Sequence, residues 1–77
     1  MNLADAKQGA KIEYIGNSLG FGGTYTLIPA ESTYYQASDC PEYERGKLMI
    51  VEFTNDDKPM FFLVEDLNQN DWRVLNG

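Results

Sequence analysis

Two apolar runs, LMIVEF at 48–53 and MFFLV at 60–64, flank the turn-rich segment TNDDKP, and each is apolar at consecutive positions rather than at every second one. Asn and Asp side chains bond readily to their own backbone, so the segment between the runs reads as the turn of a β-hairpin. With Asp56 and Asp57 at the tip, Phe53 pairs with Met60, Val51 with Phe62 and Met49 with Val64, and these three pairs share one face. The opposite face then carries Leu48, Ile50, Glu52, Phe61 and Leu63. Two apolar faces need two covers, which a lone sheet on a globule surface does not provide.

The material for those covers is limited. The chain has 77 residues, enough for one domain spanning 1–77, and a domain of that size buries only about 60% of its unfolded surface. Its composition is 43% hydrophobic, sufficient for one compact core and unlike a disordered chain. Cys40 is the sole cysteine, so no internal disulfide can add stability, which fits a reducing compartment and a cytoplasmic protein. The opening MNLADAKQGA resembles neither a secretory leader nor a membrane span.

Residues 1–9 read as an N-terminal turn or short helix, with Asn2 as its cap and Gly9 in the left-handed region at its end. From Ala10 the period becomes two. Ala10, Ile12 and Tyr14 share one face and Lys11, Glu13 and Ile15 the other, giving a strand over 11–16. TYTLI at 24–28 alternates in the same way until Pro29 ends it. Residues 29–46 have neither period and read as a long acidic, tyrosine-bearing loop. A polar break after Val64 allows a single 3₁₀ turn before a last strand at 72–75. The expectation is an all-β fold of five short strands that curl into a barrel to hide their edges.

This order of elements resembles the SH3-like small barrels. AKQGAKIEYIG at 6–16 resembles the opening strand of the KOW-type members, and GGTYTL resembles the beginning of the second strand in small SH3-like proteins often encoded by phages and prophages. Trp72 stands where their final strand carries an aromatic. The resemblance implies a small accessory protein, acting in the host cytoplasm, that binds and modulates or inhibits a host protein. It does not extend to RNA binding, because the loop GNSLGFGG lacks the basic residues of the RNA-holding barrels. Nor does it extend to proline-rich ligands, since no ALYDY-type string is present.

The four glycines of the 14–27 stretch do not make a phosphate cradle. Such a cradle needs a lysine and a following helix, whereas Gly23 leads into a strand. Gly16, Gly20, Gly22 and Gly23 read instead as positive-φ residues of a tight reversal, with Leu19 and Phe21 packed inward.

No catalytic residue, cofactor site or metal site is assigned. The chain has no histidine, the commonest general base and zinc ligand, and no calcium-loop pattern occurs among its acids. Cys40 sits between Asp39 and Glu42, which oppose thiolate formation. The reading is therefore a non-enzyme.

Net charge is −6, all of it beyond residue 28, which disfavours nucleic acid and anionic membranes as direct ligands. A protein partner fits better. The candidate contact residues are Tyr34, Tyr35, Asp39, Glu42, Tyr43 and Glu44 in the long loop, with Ile50, Phe61 and Leu63 on the hairpin's second face. Either the loop covers that face, or the face meets another chain. Two alternatives stand beside this reading: an acidic mimic of nucleic acid that inhibits a DNA- or RNA-binding enzyme or defence system, and a structural, virion-associated protein whose hairpin faces form a symmetric homodimer.

Overall fold

The computed structural model describes residues 2–76; Met1 and Gly77, the ends of the expected domain, lie outside it. Six strands form two separate three-stranded antiparallel sheets. The first sheet has β1 (Lys11–Tyr14) at its centre, between β2 (Thr24–Thr26) and β6 (Trp72–Asn76). In the second, β4 (Leu48–Phe53) lies between β3 (Ile28–Pro29) and β5 (Pro59–Leu63). The Cα envelope of 35 × 32 × 17 Å is that of stacked layers.

The expected five-stranded barrel does not form, and the SH3-like, KOW-type resemblance and the phage-type small-barrel class fall with it. The second strand divides at Leu27. Thr24–Thr26 pair with β1, Ile28–Pro29 pair with β4, and the Leu27 side chain between them is 1% exposed. The Leu27 backbone extends the β1–β2 pairing by one step, donating to Ala10 O and accepting from Gly9 N–H, each at 2.9 Å, so the chain passes to the second sheet only at Ile28. On the far side, the 3₁₀ turns Val64–Asp66 and Gln69–Asp71 separate β5 from β6, and no ladder closes the gap. The sheets therefore stack as open layers.

The layers enclose a core of Leu3, Ala6, Ala10, Ile12, Leu27, Ile50 and Trp72. Ile12, Leu27 and Ile50 are fully buried, and each contributes about 1.5–3 kcal/mol by leaving water. The N-terminal turn is a 3₁₀ segment, Leu3–Asp5, that supplies Leu3 to this core; Asn2 makes no side-chain cap, while Gly9 takes φ +89° as expected. The outer face of the first sheet is polar, with Glu13 paired to Arg73 directly across the β1–β6 ladder.

The glycine loop holds an aromatic ring in place. Phe21 meets Tyr14, Tyr25, Phe62 and Trp72, with ring centroids 5.1–6.2 Å apart, and so closes the core at one end. Two tyrosine hydroxyls fasten the loop: Ser18 N–H donates to Tyr14 Oη at 2.7 Å and Gly22 N–H to Tyr25 Oη at 3.1 Å. These amides are thus engaged by the chain's own side chains. Of the four glycines only Gly23 has positive φ, +82°. Gly16 serves for closeness instead, since a Cβ there would lie 2.5 Å from the Tyr14 hydroxyl oxygen. Leu19, expected to point inward, is fully exposed at the loop tip.

Candidate protein-contact surface

The hairpin register decides which residues form the surface. Thr54 N–H donates to Lys58 O and Asp57 N–H to Thr54 O, both at 2.9 Å, and Asp57 has φ +60°. This is a three-residue loop, Asn55–Asp57, ending in a left-handed residue, rather than a two-residue tip. The ladder therefore pairs Met49 with Leu63, Ile50 with Phe62, Val51 with Phe61, Glu52 with Met60 and Phe53 with Pro59. Each pair differs by one residue from the sequence expectation, and a one-residue slip exchanges the faces of one strand relative to the other.

As a result Ile50 joins Leu48, Phe62 and Val64 on the inner face. Met49, Val51, Phe53, Pro59, Phe61 and Leu63 form the outer one. Of the three hairpin residues expected at the surface, Ile50 is a core residue with no exposed area, Leu63 is half-buried and Phe61 is 42% exposed.

The 29–46 segment is more ordered than a structureless loop. Three 3₁₀ turns, Ala30–Thr33, Ala37–Asp39 and Glu42–Glu44, fold it over the proximal half of that outer face. Ala30, Cys40 and Met49 make a second small core, with Ile28, Tyr34 and Leu63 packed around it. Backbone bonds hold the turns in place: Arg45 Nε donates to Cys40 O at 3.1 Å, and Gly46 N–H donates to Glu31 Oε1 at 2.9 Å. Lys47 Nζ, at the segment's end, meets Glu65 at 2.7 Å.

Within the cover, Tyr34 Oη donates to the Glu44 carboxylate at 2.5 Å, and Glu44 is the one buried charged residue among those described. Hydrogen bonding to that carboxylate, helped by desolvation, pushes the Tyr34 phenol up to about 12. The same carboxylate raises Tyr43. Burial raises the Cys40 thiol, reinforced by Glu31 and Glu44, so it stays protonated inside the small core. Tyr34 and Glu44 are thus joined as a structural pair. Tyr35, Asp39, Glu42 and Tyr43 all remain exposed, Tyr35 almost completely.

The cover stops short. Beyond Met49 and Leu63 the outer face continues through Val51, Phe61, Phe53 and Pro59 toward the tip, with Phe53 59% exposed. No family model, curated protein or solved structure matches the chain. The surface is therefore judged on its own chemistry: two phenyl rings, a valine and a proline in one patch, with the acids Asp56 and Asp57 at one margin and the cover at the other. Sequence reasoning missed Val51, Phe53 and Pro59 as members of this face; the signal was present in the five residues TNDDK, which suit a three-residue loop as well as a two-residue one.

An open cleft of about 420 Å³ lies beside the N-terminal turn, lined by Leu3, Ala6, Leu48, Val64 and Leu67 with the Lys47–Glu65 pair at its rim. Its polar lining is Gln69 and the Lys47–Glu65 pair, whose charges already meet each other. Among the described residues no cluster of three or more His, Cys, Asp or Glu side chains is placed to hold a metal.

Proposed function

We propose that the protein is a non-catalytic protein-binding module whose contact surface is the uncovered distal half of the outer hairpin face, framed by the exposed tyrosines of the 29–46 segment. One observation carries the reading: Phe53 and Phe61 stay 59% and 42% exposed on a sheet face whose other half is sealed by a dedicated cover. Contiguous exposed rings with a polar, acidic margin are the composition of a protein contact patch, with aromatics at its centre and charge at its rim. The apolar centre favours a folded or folding protein partner over a basic nucleic-acid-binding groove, which an acidic mimic would meet with carboxylates.

The test is site-specific photocrosslinking in cells, with a benzophenone side chain at position 53 or at position 26 on the polar outer face of the first sheet. A discrete adduct from position 53 and none from position 26 is the expected result. Equal labelling from both positions, or none from position 53, contradicts the reading.

A further inference from the structure

The patch lies along an open sheet edge, and its ends carry a definite charge. β5 is the last strand of its sheet, and β4 alone packs extensively along it. In the β4–β5 ladder the Thr54 N–H to Lys58 O bond sets the alternation: Glu52–Met60 and Ile50–Phe62 exchange hydrogen bonds, and Val51–Phe61 and Met49–Leu63 do not. The amides of Phe61 and Leu63 therefore point away from β4. Among the described residues no turn or side-chain acceptor reaches either of them. Their side chains lie on the same outer face as Val51, so an incoming strand would find both backbone donors and an apolar floor.

Most natural sheets protect such an edge with charges along the strand. β5, PMFFL, carries none; its protection is limited to Pro59 and to the charges beyond its ends. Those charges exclude a second copy of the chain. Antiparallel self-pairing centred on Phe61 would bring Asp57 toward Glu65 and Asp56 toward Asp66 of the other copy, twice over, and like charges facing across strands oppose pairing. Lys58 at the tip and Lys47 beside Glu65 leave two acids against one base at either end.

From these relations, and resting on the surface reading above, we infer that β5 accepts an extended strand from a partner protein, apolar at alternate positions and bearing Lys or Arg at both ends, as a fourth strand of its sheet. The main chain of the guest pairs with the Phe61 and Leu63 amides, its outer-face apolar side chains flank Phe61 and Leu63 and extend the apolar patch, and its terminal cations meet Asp56–Asp57 and Glu65–Asp66. A strand opposite β5 spans about 17 Å, which sets the separation of the two cationic ends.

The probe is a labelled synthetic peptide of alternating valine and threonine with a lysine pair at each end, read by fluorescence polarisation against the full chain and two variants. Phe61→Val and Phe61→Pro both remove the ring, but only proline removes the outward N–H while leaving the β4 ladder intact. The expected result is binding to the wild type, binding to Phe61→Val reduced less than that to Phe61→Pro by at least about tenfold, and weakening as salt rises from about 0.05 to 0.5 M. Amide exchange on the wild type supplies a reading independent of variant folding, with Phe61 and Leu63 slowed by the peptide. Equal binding to the two variants, no slowing at those amides, no binding to the wild type, or concentration-dependent self-association through β5 would each overturn the inference. Crosslinking from position 53 that persists in Phe61→Pro would leave the surface reading standing and remove the strand-addition inference alone.

Discussion

Ile50 lies directly opposite Phe62 in the β4–β5 ladder, and both side chains enter the core between the two sheets. Had Ile50 faced Leu63, the hairpin would have presented a different set of rings to solvent. The pairing is fixed by the loop, where Asp57 occupies the left-handed region so that three residues, rather than two, reverse the chain.

The loop is accordingly the cheapest place to strengthen the hairpin. A non-glycine residue at positive φ carries strain of about 1–2 kcal/mol, somewhat less for Asp, and glycine relieves it at some cost in chain entropy. Asp57→Gly is expected to stabilise by about 0.5 kcal/mol and Asp57→Val to destabilise by about 1 kcal/mol or more. Denaturant midpoints measured side by side check both signs.

The glycine loop separates three kinds of glycine. Gly22 has ordinary φ and open space, so Gly22→Ala is expected to be neutral or stabilising by about 0.4–1 kcal/mol. Gly23, at φ +82°, should lose about 1 kcal/mol on the same change. Gly16→Ala drives a methyl group against the Tyr14 ring and should cost about 1–3 kcal/mol. Thermal melts of the three variants that ranked them otherwise would contradict the packing described for the loop.

Phe21 should matter far more than its exposed neighbour. Removing a ring that touches four others is expected to cost about 3 kcal/mol in Phe21→Ala, whereas Leu19→Ser should stay within about 0.5 kcal/mol of the wild type. Urea unfolding of the two variants is the comparison.

The Tyr34–Glu44 pair ties the cover's stability to alkaline pH. The Tyr34 phenol is raised from about 10 to about 12 in the folded protein, so folding favours its neutral form. That contribution is whole below about pH 10 and is lost as pH rises toward about 12, the sign for an acid whose folded value is raised. Tyr25, raised by burial and by its bond to Glu52, acts in the same direction. Tyr34→Phe should destabilise the protein at neutral pH by removing the phenol that donates to the buried Glu44 carboxylate, and should flatten the alkaline loss. Stability measured from about pH 8 to 12 in both proteins would show the difference in slope.

The strands themselves were largely legible from residue alternation. Lys11, Ile12, Glu13 and Tyr14 alternate across β1, and Trp72 opens β6 where the sequence places a final strand. What alternation could not supply was the register of the hairpin, because LMIVEF and MFFLV are apolar on both faces and a slip by one residue leaves the hydrophobic pattern almost unchanged. The open stacking was hidden for a related reason: the period of TYTLI runs unbroken through Leu27, whose backbone still bonds to Gly9 and Ala10, while Ile28 already pairs in the other sheet. Short 3₁₀ turns have no period to detect, so the order of the 29–46 segment did not register. Tyr34 and Glu44 are ten positions apart with only short 3₁₀ turns between them, and nothing in the sequence marks them as partners. Of the candidate contact residues, Tyr35, Asp39, Glu42, Tyr43 and Phe61 are exposed, Leu63 is half-buried, Tyr34 and Glu44 fasten the cover, and Ile50 belongs to the core.

The most direct test of this account is the cross-strand Hα–Hα contact seen by NMR in the β4–β5 hairpin. Val51 and Phe61 form a non-hydrogen-bonded pair and should give a strong Hα–Hα NOE, with the matching contact between Met49 and Leu63. Strong contacts from Glu52 to Phe61 and from Ile50 to Leu63 instead would mean the two-residue loop, a different outer face, and a different surface for any partner.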